Sequence, residues 1–122
     1  MSYQMKLRAW VKNPTDGTWA MRKIRWISLE EGDVCTDTGI RTSEFVPCWF
    51  TGLKDRNNED IYAGDILEWG TEGYKTKVYW DNGSWCTDGN YLRYFLATGS
   101  GWIIGNIYEN PGLLTDTEGV AK

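Results

Sequence analysis

From Met5 to Lys12 the chain alternates: Met5, Leu7, Ala9 and Val11 fall on one side and Lys6, Arg8, Trp10 and Lys12 on the other. That two-residue period is a strand with one buried face. Asn13-Pro14-Thr15-Asp16-Gly17 gathers Pro, Asp and Gly in one stretch, which is turn chemistry, and a strand pattern resumes from Trp19 to Leu29. The two arms form a hairpin. The second arm changes phase at Arg22-Lys23, because Trp19 and Met21 share one parity and Ile24 and Trp26 the other, and this predicts a bulge there. Trp10 sits on the charged face, either exposed or covering the stems of its Arg and Lys neighbours.

Residues 30–44 are polar, acidic and Thr-rich with no sustained period, so they read as a long surface loop and a candidate functional loop. Val46 to Phe50 reads as an edge strand, since Pro47 cannot donate to a ladder, and Gly52 to Asp60 as a polar turn region. Ile66 to Trp69 and Tyr74 to Trp80 are further strands. Asn82-Gly83 fits a two-residue type I′ turn, which needs positive φ at both positions; it would set Trp80 opposite Trp85, Tyr79 opposite Cys86 and Val78 opposite Thr87. Asn90 to Thr98 allows either one helical face or a strand, and is read as a short helix or irregular segment. Trp102 to Tyr108 is a strand by its Ile content. Asn110-Pro111 supplies an N-cap followed by Pro at the first helical position, and a turn of helix would use Leu113 and Leu114.

Six or more short strands with turns about every ten residues predict a mainly β fold. The expected architecture is a small open barrel or two packed antiparallel sheets, partly SH3-like, with at most one or two short helices. The expected span is a single β domain over residues 1–114, followed by a flexible tail over 115–122 that has little to bury.

A chain of 122 residues suffices for one core. Aromatic residues make up 15% of it, including eight Trp, and most of these are read as core. Cys35, Cys48 and Cys86 form no CxxC pair, and their odd number points to buried thiols in a reducing compartment. The start lacks an apolar signal core and no apolar run has the length to span a bilayer, so a cytoplasmic location is expected. The triplet Asn82-Gly83-Ser84 is read as turn chemistry, not as a glycan site.

The net charge of −4 hides an asymmetry. Residues 1–26 hold six basic side chains against Asp16, a net +5, whereas the other 96 residues hold 7 basic and 16 acidic side chains, a net −9. A basic hairpin on an acidic chain is either a solvated strand face balanced within the fold or a means of steering self-association or a charged ligand.

The chain contains no His, which removes the commonest general base and metal ligand and excludes Ser-His-Asp and Cys-His mechanisms. The acids cluster in predicted turns, such as Glu30-Glu31 and Glu59-Asp60. No catalytic residue, metal or cofactor is therefore expected. The run Asp55 to Asp60 places acceptors at alternate positions as a calcium loop does, but it lacks Gly at the sixth place and carries Ile66 where the bidentate Glu should stand. Gly99-Ser100-Gly101 with Gly105 precedes a strand where a dinucleotide fingerprint needs a helix.

Three segments, in order, are similar to the YopX family of phage and prophage proteins. They are Lys6-Leu7-Arg8-Ala9-Trp10; Phe50-Thr51-Gly52-Leu53-Lys54-Asp55 with Ile61-Tyr62-Ala63-Gly64-Asp65-Ile66; and Ile103-Ile104-Gly105-Asn106-Ile107-Tyr108-Glu109-Asn110-Pro111. The chain departs from the family pattern at Ala63, where Glu is expected, and in its high Trp content. The resemblance implies a β-rich fold that self-associates, encoded among phage accessory genes, with no established biochemical activity. The motif residues themselves read structurally: Gly52, Gly64 and Gly105 suit turns or close approach, and Tyr62, Asp65, Asn106 and Tyr108 suit buried hydrogen bonds as well as they suit a ligand.

The expected function is that of a non-catalytic accessory protein that self-associates and binds a host or phage protein, in counter-defence or host modulation. Arg8, Trp10, Arg22 and Arg25 are the expected contact patch, and Pro111, Leu113 and Leu114 the expected subunit contact. The alternative is a single-stranded nucleic-acid or nucleotide binder using the same hairpin: Gly64 to Trp80 and Trp85 are similar to the strand sequence of SH3-like barrels, and Trp10 among basic residues would supply a stacking platform. Against it stands an isoelectric point near 4.8, where nucleic-acid binders usually carry a basic footprint.

Overall fold

A computed structural model describes residues 6–88, 90–97 and 101–114. The expected tail over 115–122 lies outside the described residues. The described residues form a mainly β fold, with three antiparallel sheets, no closed barrel and two short helical segments among them. One span over 1–114 is expected from the sequence; the chain's contacts fall into two compact units, Met1–Trp49 and Phe50–Lys122.

In the first unit β1 (Leu7–Lys12) buries Leu7, Ala9 and Val11 and leaves Arg8, Trp10 and Lys12 half-buried, the alternation its sequence dictates. It pairs antiparallel with β2 (Trp19–Ser28), Arg8 opposite Lys23, Trp10 opposite Met21 and Lys12 opposite Trp19. The turn closes through Asn13 and Asp16, whose side chains accept the backbone N–H groups of Thr15 and Thr18, each at 2.9 Å. The predicted bulge exists two residues later than expected. The β1 ladder runs unbroken through Arg22-Lys23, and the register shift falls between Ile24 and Trp26, in the pairing of β2 with β3 (Asp33–Thr36).

Residues 30–44 are therefore not one long loop: they contain β3 and β4 (Arg41–Thr42). The pattern is hidden because a single aliphatic residue, Val34, anchors the segment, fully buried against Leu7, Ala9, Val11 and Ile24. The threonines satisfy their own backbone, Thr36 Oγ1 accepting from the Ile40 N–H at 3.0 Å and Thr42 Oγ1 from the Glu44 N–H at 3.1 Å. The first half of β5 (Phe45–Lys54) pairs with β1, with Pro47 opposite Ala9. It has no strand on its other side there among the described residues, which is what a proline tolerates.

In the second unit the C-terminal half of β5 pairs with β6 (Asp60–Tyr62), with a shift between Phe50 and Lys54 where Gly52 takes φ 84°. β7 (Asp65–Trp69) lies between β8 (Tyr74–Lys77) and β12 (Trp102–Asn106). A third sheet joins β9 (Tyr79–Asp81), β10 (Ser84–Thr87) and β11 (Asn90–Tyr91), followed by α1 (Leu92–Ala97). The Asn82-Gly83 turn forms with φ 48° and 80°, and Trp80 faces Trp85 and Tyr79 faces Cys86 as expected. The ladder stops there. Val78 turns away and exchanges backbone hydrogen bonds at 2.9 Å with Gly64 and Asp65, so the Tyr74 to Trp80 run is two strands and not one. Ile61, Leu67, Val78 and Leu92 form this unit's core, with Trp85, Phe95, Leu96 and Ile103 packed against it. All three cysteines are buried thiols outside any disulfide.

Candidate functional site

Each unit has a surface that gathers exposed aromatic and basic side chains. On the first, the β1–β2 register sets Arg8, Trp10 and Lys12 on the same face as Lys23, Met21 and Trp19, since paired residues of antiparallel strands share a face. Trp10 and Trp19 stack with centroids 6.1 Å apart and an interplanar angle of 17°. Val46, 37% exposed, stands opposite Trp10 on the other side of β1 and extends the apolar row. Basic residues border it, and Lys12 is paired with Glu44 at 3.4 Å.

Of the expected contact residues, Arg8 and Trp10 are thus together on this face. Arg22 is not with them: it pairs with Ala9, and residues of the opposite parity point to the opposite face. Arg25 sits at the β2 register shift, where its Nη2 donates to the Asp37 carbonyl at 3.2 Å. Lys23, Met21 and Trp19 take the places that Arg22 and Arg25 were expected to fill, and the hairpin register would have identified them. Pro111 is exposed, while Leu113 and Leu114 are half-buried.

A shallow hollow of about 400 Å³ in the same unit is lined by Lys12, Asp33, Arg41 and Glu44. Its charges answer one another, since Arg41 bonds Asp33 and Glu31 and lies 5.3 Å from the Trp26 ring centre.

The second surface is an open groove of about 460 Å³ in the second unit. The β9–β10 hairpin provides one wall, Trp80 and Trp85, with centroids 5.0 Å apart at 73°. Tyr91 and Tyr94, 5.8 Å apart at 66°, provide the other. Trp80, Tyr91 and Tyr94 are 58%, 52% and 60% exposed, whereas Trp85 is held by the core. Arg93 is the one ionic residue lining the groove among the described residues, and Thr51 and Ser84 contribute hydroxyls. The sequence reading found the Trp80–Trp85 pair but not the groove, because Tyr91, Arg93 and Tyr94 lie in the segment with no decisive period.

The polar side chains of the motif segments hydrogen-bond the backbone around them. Asp55 is 7% exposed, and its carboxylate accepts the N–H groups of Asn57, Glu59 and Ile103 at 2.9, 2.8 and 2.8 Å. Asp65, 1% exposed, accepts the Tyr62 N–H at 2.8 Å. Asn106 Oδ1 accepts from the N–H groups of Tyr108 and Glu109, while its Nδ2 donates to Glu109 at 2.7 Å. Asn110 turns its oxygen back to the Asn106 N–H at 3.2 Å instead of capping forward, and its carbonyl receives the Leu113 N–H.

The resolved titration shifts lie outside both surfaces. Hydrogen bonds from Thr18 hold the Asp16 carboxyl below its ordinary value, and the hydrogen bond to Asp60, at 2.7 Å, raises Lys54. Desolvation, then the charges of Asp88, Cys86 and Asp81, raise Tyr79. No group of three or more potential metal ligands occurs among the described residues, and no helix among them is long and apolar enough to cross a membrane.

Comparison with known proteins agrees with the geometry. The fold is similar to the crystal structure of protein EF1440 from Enterococcus faecalis, with a TM-score of 0.68 over 93% of this chain and 99% of that one, at 22% identity. No curated protein matches the chain. The model of the family described as YopX protein matches residues 6–115, nearly the whole length, so the chain belongs to the YopX family.

Proposed function

We propose that this chain is a non-catalytic accessory protein of phage or prophage, acting in the bacterial cytoplasm, that self-associates and binds a host or phage protein in counter-defence or host modulation. The observation that carries this reading is the hairpin face. Trp10 and Trp19 stack there beside Met21 and Val46, bordered by Arg8, Lys12 and Lys23. Aromatic residues and Arg within a basic border have the composition of an interface hot spot. A second copy offers a complementary surface, because residues beyond 26 carry a net −9. The lack of His favours binding over catalysis, as does the use of Asp55 and Asp65 as acceptors for backbone N–H groups.

Light scattering behind size-exclusion chromatography tests self-association. The expected result is a species larger than one chain whose mass falls with added salt and with Lys23→Glu or Trp19→Ala. A monomer at every concentration, with no specific protein retained by the immobilised chain, sinks the reading. The same stacked pair among basic residues supports a second reading, a single-stranded nucleic acid laid along the hairpin face. Oligonucleotide binding at low salt that weakens with Lys23→Glu is its signature.

A further inference from the structure

We infer that the groove of the second unit is a separate binding site for an unpaired nucleobase carrying its phosphate. Three observations converge on that chemistry. The two walls present large π surfaces from different elements, Trp80 from the hairpin and Tyr91 and Tyr94 from β11 and α1, each more than half exposed. A planar ring stacks on such faces whatever its sequence identity. The Trp80–Trp85 contact is edge-on at 73°, and Trp80 stays 58% exposed beside it, so ring surface remains for a ligand.

The charge of the lining points the same way. Although acidic residues outnumber basic ones 17 to 13 in the chain, no carboxylate among the described residues lines the groove and Arg93 does. Among the described residues the Arg93 guanidinium has no ion pair or hydrogen bond, and the Ser84 hydroxyl has none either. A guanidinium beside aromatic faces answers a phosphate attached to a stacked ring. A proline-rich peptide would use the aromatic walls but leaves the guanidinium without a counter-charge. The volume, about 460 Å³, lies in the range of small-ligand sites and suits one nucleotide unit. The site shares no residue with the hairpin face, so either proposal can fail without the other.

The test is calorimetric titration of the full chain at low salt with a nucleoside monophosphate, its unphosphorylated nucleoside, inorganic phosphate, oligothymidine and a neutral proline-rich peptide. The nucleoside monophosphate is expected to bind with a millimolar or tighter dissociation constant. Arg93→Gln weakens it roughly tenfold and leaves the nucleoside unchanged, while Tyr94→Ala and Trp80→Ala weaken both at least about fivefold. Trp19→Ala, in the other unit, has no effect on either. Tyr94 and Trp80 are exposed, and the melting temperature of each variant verifies its fold. Tighter binding of oligothymidine than of the mononucleotide identifies a single strand as the source, and equal affinity identifies a free nucleotide. Silence with every nucleotide at millimolar concentration overturns the inference. So does peptide binding without nucleotide binding, or nucleotide binding lost with Trp19→Ala and kept in the groove variants.

Discussion

The two units hold themselves together in different ways. The first is a strand-pairing solution: one unbroken β1–β2 register places Leu7, Ala9 and Val11 on Ile24 and Val34, and the aliphatic side chains need no special partner. The second has shorter strands and more turns, and buried carboxylates and an amide fasten its backbone, where the first unit uses turn side chains and threonine hydroxyls. Asp55, Asp65 and Asn106 each accept N–H groups that no ladder satisfies. A long hairpin pairs most of its own backbone, whereas a segment folded into short strands and tight turns leaves buried donors that a carboxylate or amide must meet. In this family member the motif-like residues concentrate where the ladders end.

The contrast predicts unequal sensitivity to polar substitution. Asp55→Ala removes one charged acceptor from three backbone donors, and the expected loss is about 3 kcal/mol in urea unfolding. The exposed turn acid of the first unit, Asp16, is the matched control, and Asp16→Ala should move the midpoint far less. Equal shifts would erase the distinction between the units.

Next in size is Gly105→Ala. A Cβ there would collide with Asn110 Oδ1 and stand 3.2 Å from Leu113, an overpacking that costs about 2 kcal/mol. In an Asn110→Ala background most of that loss should vanish, and a double-mutant cycle measures the coupling. An additive result would show that the Asn110 contact does not set the cost.

Trp19→Ala tests the stacked pair of the first unit. The lost ring contact with Trp10 should lower stability by about 1 kcal/mol, smaller than either change in the second unit although a far larger side chain is removed. Urea midpoints of the three variants rank the effects directly.

The smallest effects follow pH. Lys54 has a raised pKa in the fold through its hydrogen bond to Asp60. Its contribution is complete below the ordinary value of 10.5 and is lost as pH rises through the higher folded value. Lys54→Met should therefore flatten the alkaline fall in melting temperature. Asp16 has a lowered pKa through Thr18, so its contribution is present above 3.8 and disappears as pH falls through the lower folded value. Asp16→Asn should remove that acid dependence and leave the alkaline limb unchanged.

Alternation and turn chemistry in the sequence were enough to determine β1, the hairpin turn, the Asn82-Gly83 turn and the facing of Trp80 on Trp85, because each depends on residues within a few positions of one another. The mainly β class followed from the same local signals. Tertiary structure decided what depends on distant partners. It drew two strands out of residues 30–44 because Val34 has a core to enter, and it ended the 74–80 run at Val78 because Gly64 and Asp65 compete for its backbone. It also separated Arg22 from Arg8 and Trp10 by strand parity once the register was set. The groove was the least legible feature. Tyr91, Arg93 and Tyr94 meet Trp80 only after β10, β11 and α1 have folded back on one another, and no periodicity in a single segment records that encounter.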